Sequence, residues 1–94
     1  MLSSKDFITK ATQSVYELAK QTFDVTDNVE FTIDNVYVVW SCFILGNQKA
    51  LLSTTLTDGK YYEVTYNANT DQMYVDQYVK VQNKTIDNVT RDNQ

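Results

Sequence analysis

The sequence predicts an α+β domain: one N-terminal helix packed on a four- to five-stranded antiparallel meander. Three observations carry this. Apolar residues recur every three or four positions over residues 1–23. Runs rich in β-branched and aromatic residues fill residues 36–78. Turn-forming pairs, Gly46-Asn47 and Asp58-Gly59, punctuate those runs.

The helix opens on Ser3, with Asp6 three residues on as a capping-box-like partner and Leu2 and Phe7 placed as a hydrophobic staple. Phe7, Ala11, Val15, Leu18 and Thr22 form the apolar stripe, flanked by Ile8 and Ala19. Lys5, Lys10, Gln13, Glu17 and Lys20 fall on the other side. A helix with one apolar stripe needs a surface to lie on, and a sheet face is the one candidate large enough. Residues 24–28 form a polar connector. Residues 29–33 alternate as a short half-buried strand or extended approach, and Asp34-Asn35 is either a bulge or a hairpin turn; as a hairpin it adds a fifth, edge strand with Phe31 near Val38 or Val39.

Residues 36–45 lack strict alternation, so both faces of this strand carry apolar groups. Gly46-Asn47 as a two-residue II′ loop sets Phe43 opposite Ala50, Cys42 opposite Leu51 and Trp40 opposite Ser53. Asp58-Gly59 as an I′ loop sets Ser53 opposite Val64 and Leu51 opposite Tyr66. A four-residue loop at 68–71 sets Val64 opposite Val75 and Tyr66 opposite Met73.

One face then gathers Val36, Val38, Trp40, Cys42, Ile44, Leu51, Tyr62, Val64, Tyr66, Met73, Val75 and Val79, and is the expected core. The other gathers Tyr37, Val39, Phe43, Leu52, Leu56, Tyr61, Thr65, Tyr74 and Tyr78, with Glu63 beside Asp76. From this second face Tyr37, Phe43, Leu52, Leu56, Tyr61, Tyr74 and Tyr78 are the candidate interaction residues, because tyrosine joins a large apolar body to a polar tip and is enriched at interfaces. Residues 1–82 form the expected domain and 83–94 a polar tail, frayed by default.

The composition narrows the chemistry. The chain has 94 residues, a formal charge of −4, no His and one Cys. Nucleic acid is not an expected partner, since phosphate contacts need clustered Lys and Arg and the lysines here are scattered. Cys42, in the most apolar run, is expected to be a buried, reduced thiol in a cytoplasmic protein. With no apolar stretch near 20 residues and no leader-like segment, neither a membrane span nor secretion is expected. No nucleophile–base pair, zinc-ligand spacing or glycine-rich phosphate loop is present, so no cofactor or metal is expected and the chain reads as non-enzymatic. The acidic string Asp24, Asp27, Glu30 and Asp34 lacks the calcium-loop pattern and reads as solvated turn carboxylates. Glu63 and Asp76 offer the one carboxylate pair that an enzymatic reading can rest on; as a salt-bridged, wet part of the sheet with Lys60 or Lys80, they need no chemistry.

The strings at 36–40, 49–67 and 73–78 together resemble a family of small uncharacterised proteins encoded by phages and prophages of Gram-positive bacteria, residues 49–67 most specifically. The resemblance implies expression in the cytoplasm of a bacterial host and transfers no catalytic residue. The expected function is protein–protein interaction, as a homodimer or on a bacterial host protein. The alternative is a small-ligand site in a cup between helix and sheet, lined by Tyr62, Tyr66 and Trp40.

Overall fold

The computed structural model describes residues 2–22, 30–56 and 58–90. One helix, α1 (Ser4–Thr22), lies on one face of a four-stranded antiparallel sheet whose strands follow chain order: β1 (Val36–Ile44), β2 (Asn47–Thr54), β3 (Lys60–Asn67) and β4 (Gln72–Val79). The smallest dimension, 20 Å, is what a sheet and one helix layer occupy. The helical expectation at Met1 and Phe23, the connector 24–28 and Val29 lie outside the described residues, as does the side chain of Thr22.

The start of α1 follows from its cap. The Asp6 amide donates to Ser3 Oγ at 3.1 Å and the Phe7 amide to Ser3 O at 2.9 Å, satisfying donors that a helix N-terminus leaves free. Leu2 and Phe7 both pack into the core as the expected staple. Gln48 Nε2 on β2 donates to Leu2 O at 2.8 Å, which fixes the helix entry to the sheet. Phe7, Ala11, Val15 and Ala19, each four residues apart, are fully buried. Ala19 thus takes the central place expected of Leu18, which is half-buried on the flank. The two alanines in this stripe let the helix backbone sit close to β2.

Residues 30–32 form no strand, and Ile33–Asn35 is a single 3-10 turn. The Thr32 amide donates to Asn35 Oδ1 at 2.8 Å and the Asn35 amide to Thr32 O at 2.9 Å. The side chain of Asn35 thereby closes a local turn that competes with a strand ladder. The expected edge strand, with Phe31 near Val38 or Val39, is therefore not formed. Phe31 stacks on Tyr16 of α1, ring centroids 5.4 Å apart, so this segment belongs to the helix side of the sheet.

The register departs from expectation at two of the three turns. The first hairpin turns on Leu45-Gly46, both with positive φ (51° and 82°), as a type I′ loop requires. Phe43 therefore pairs with Gln48, Cys42 with Lys49 and Trp40 with Leu51. A bulge between Val38 and Trp40 then shifts the ladder, so that Val38 pairs with Leu52, Tyr37 with Ser53 and Val36 with Thr54. An inserted residue reverses which face its neighbours share. It keeps Val36 on the helix side while Trp40, beyond it, shares the opposite face with its partner Leu51.

The second turn is wider than Asp58-Gly59. Leu56 N donates to Thr54 Oγ1 at 3.2 Å and Lys60 N to Asp58 Oδ1 at 3.1 Å, side-chain turns that hold a longer loop. Pairing resumes only at Ser53 with Tyr61, and Leu52 meets Tyr62, Leu51 meets Glu63 and Ala50 meets Val64. This reverses the face of β2: Leu52 lies wholly in the core and Leu51 on the opposite side. The third turn matches expectation, with Val64 opposite Val75 and Tyr66 opposite Met73.

The core is Phe7, Ala11, Val15 and Ala19 of α1 with Val36, Ala50, Leu52, Tyr62, Val64 and Tyr66 of the sheet. Tyr66 Oη donates to Asp71 Oδ1 at 2.9 Å, and this bond, ahead of burial, holds the phenol above its ordinary pKa. Tyr62 is different: it is wholly buried and its hydroxyl has no hydrogen-bond partner among the described residues. Burial first, and the charge of Asp58 second, raise its pKa. An unpaired buried hydroxyl costs about 1–3 kcal/mol, so Tyr62→Phe should stabilise the chain by roughly 1 kcal/mol in urea unfolding. Above about pH 10 the unfolded tyrosine loses its proton first. The folded state then holds more protons than the unfolded one, and stability falls as pH rises. Tyr62→Phe should make that alkaline fall shallower.

Candidate interaction surface

The face of the sheet away from α1 is a grid set by the pairing. Its first row is Tyr37, Ser53, Tyr61 and Tyr78; its second is Trp40, Leu51, Glu63 and Asp76; its third is Cys42, Lys49, Thr65 and Tyr74. Among the described residues no helix or loop covers it. Tyr37 is 48% exposed, Trp40 42%, Tyr74 48% and Tyr78 51%. Aromatic groups thus border a charged centre, where Lys49 Nζ lies 3.5 Å from Glu63 Oε1. Asp76 stands directly across from Glu63, and it has no ion-pair partner among the described residues.

Of the seven interaction residues expected from the sequence, Tyr37, Tyr61, Tyr74 and Tyr78 come together here. Tyr61 and Tyr78 pair directly, and Lys80 Nζ lies 5.8 Å above the Tyr61 ring, a cation–π contact. The other three do not join them. Leu52 is buried beneath α1. Leu56 sits half-buried in the loop after β2. Phe43 shares the parity of Gln48 and Ala50 on the helix side, at the hairpin end, where it is 53% exposed.

Trp40, Cys42, Ile44 and Leu51 belong to the open face although the sequence pattern assigned them to the core. The widened second loop explains the exchange: it turns β2 over relative to β3, and Trp40, Cys42 and Ile44 go with their β2 partners, while the bulge at Val39 returns Val36 and Val38 to the helix side. Cys42 is accordingly exposed and not a buried thiol. Tyr62 and Tyr66 face α1 while Trp40 faces away, so the three do not line one cup.

The end of the first hairpin extends this surface. Ile44 is 61% exposed and Leu45 94%. Beside them an open depression of about 340 Å³ is lined by Cys42, Ile44, Leu45, Asn47, Gln48, Lys49 and Thr65. Leu45 is anomalous on local grounds. Its φ of 51° is the left-handed region, which costs a residue with a Cβ about 1–2 kcal/mol and ordinarily takes Gly, Asn or Asp.

Among the described residues no three Cys, Asp or Glu side chains gather as a metal ion would need, and no helix is long and apolar enough to cross a membrane. One helix on one side of a meander and an open sheet face on the other define a small two-layer domain whose bare face has an aromatic border and a charged centre. The chain belongs to a family of unknown function, DUF6275, whose family model matches residues 8–88. That match runs past the end of β4 at Val79. No curated protein and no solved structure matches the chain.

Proposed function

We propose that this is a non-enzymatic binding protein that acts by protein–protein contact through the open sheet face, in its simplest form as a homodimer. The proposed setting is the cytoplasm of a bacterial host, with the protein encoded by a phage or prophage, as the sequence resemblance implies; a host protein is the other partner this surface suits. The observation that carries the interaction reading is the outward turn of Trp40 onto a face already bearing Tyr37, Tyr61, Tyr74 and Tyr78. Trp and Tyr are among the residues that dominate binding energy at interfaces, and here they surround a small set of charged groups that fixes orientation. Leu45 adds support: a bulky apolar side chain held in a strained conformation at a hairpin tip is unfavourable for the isolated domain.

Sedimentation equilibrium of the wild type, Trp40→Ser and Leu45→Asn tests this. The wild type should show a monomer–dimer equilibrium in the micromolar range, and Trp40→Ser should weaken it at least tenfold with an unchanged circular dichroism spectrum. Leu45→Asn should weaken it too while raising the stability of the monomer by about 1 kcal/mol, because Asn tolerates positive φ. A wild type that stays monomeric into the millimolar range would refute self-association.

A further inference from the structure

Residues 80–90 leave the end of β4 without joining the sheet or packing on α1, and every one of them is exposed. Lys80 is still tied to the domain, its amide donating to Gly59 O at 2.8 Å. Beyond it no hydrogen bond or ion pair among the described residues holds the segment to the body. Yet it carries Val81, Ile86 and Val89, which are 95%, 70% and 78% exposed. The family match includes it as far as residue 88. The radius of gyration, 16.4 Å, exceeds the roughly 12 Å of a compact domain of this length.

We propose that residues 81–90 form an arm that lies on the open sheet face of a second copy of this chain, reciprocally in a twofold dimer. This rests on the homodimer reading above and names what completes its interface. The area supports it. An arm of ten residues reaches at most about 35 Å, and at a width of roughly 10 Å it covers about 350 Å² of the partner's face. Exchanged reciprocally, each copy buries about that area on its face and again on its arm, close to the ~800 Å² per partner of a standard interface.

The chemistry also fits. The arm brings Val81, Ile86 and Val89 to a face bordered by Trp40 and the tyrosines. It brings Lys84, with Asp87 three residues on, to a face whose centre holds Glu63 and Asp76 together with Lys49, so each charge of the arm finds an opposite one there. A C2 arrangement places the same pair of contacts twice, so a short arm contributes to both halves of the interface.

The test compares the wild type with Val81→Ser/Ile86→Ser/Val89→Ser by sedimentation equilibrium. These side chains are exposed in the single chain, so the triple variant should keep the wild-type circular dichroism spectrum and unfolding midpoint. The expected result is a dimer dissociation constant raised at least tenfold. Lys84→Glu and Asp76→Lys should each weaken dimerisation several-fold, and the double exchange should restore it. A wild-type dimer matched within twofold, or exceeded in affinity, by the triple variant would overturn the arm while leaving dimerisation through the open sheet face standing. A wild type monomeric at all concentrations would overturn both.

Discussion

Leu52→Ala should destabilise the chain by about 2–5 kcal/mol, whereas Leu51→Ala, one residue earlier on the same strand, should cost roughly 1 kcal/mol. Leu52 is fully buried, paired with Val38 and Tyr62 on the helix side. Truncating it removes transfer energy and leaves a cavity in the core it shares with α1, which close packing refills only in part. Leu51 is half-buried on the bare face, so its loss exposes little that was dry. A domain of this size has only about 5–15 kcal/mol to lose, so Leu52→Ala should move the urea midpoint by a large fraction of its value with little change in slope. Equal midpoints for the two variants, or a larger loss at Leu51, would mean that β2 presents the opposite face to α1.

Phe7→Ala should cost about 3–5 kcal/mol and loosen the helix from the sheet. Phe7 is 1% exposed, packs with Leu2 as the staple, and lies one turn inside the Ser3 cap. A 19-residue helix is marginal in water without a surface to pack on, so the loss should appear as lower helical ellipticity as well as a lower melting temperature. Phe7→Leu, which keeps most of the volume, should cost under about 1.5 kcal/mol. If Phe7→Ala leaves helicity and melting temperature unchanged, the helix is not held by this stripe.

The layers of this fold were legible in the sequence because they depend on long periodic signals. The cap at Ser3, the staple and the buried positions Phe7, Ala11 and Val15 follow from a period that four turns repeat. The third hairpin was equally legible, since Asn67 and Asp71 frame a loop of fixed length and Val64 finds Val75. The faces of β1 and β2 were not. They depend on single residues: whether Leu45 or Asn47 accompanies Gly46 in the turn, whether Val39 bulges, and how far Thr54 and Asp58 hold the second loop open. Each involves free energies of about 1–2 kcal/mol, yet the bulge and the widened second loop each move a whole set of side chains to the other side of the sheet. Their net effect left Tyr37, Tyr61, Tyr74 and Tyr78 on the bare face, brought Trp40 to join them, and buried Leu52. An apolar run such as residues 36–45, with large side chains at both parities, carries no pattern that tells these alternatives apart.

Trp40 is the single tryptophan of the chain, so its emission reports directly on the face to which its pairing with Leu51 assigns it. At high dilution the spectrum should be that of a partly hydrated indole, readily quenched by iodide. Raising the concentration through the dimerisation range should shift it to the blue and protect it. A spectrum already blue and shielded in the dilute monomer, and unchanged on concentration, would place Trp40 beneath the helix and contradict both the register and the surface built on it.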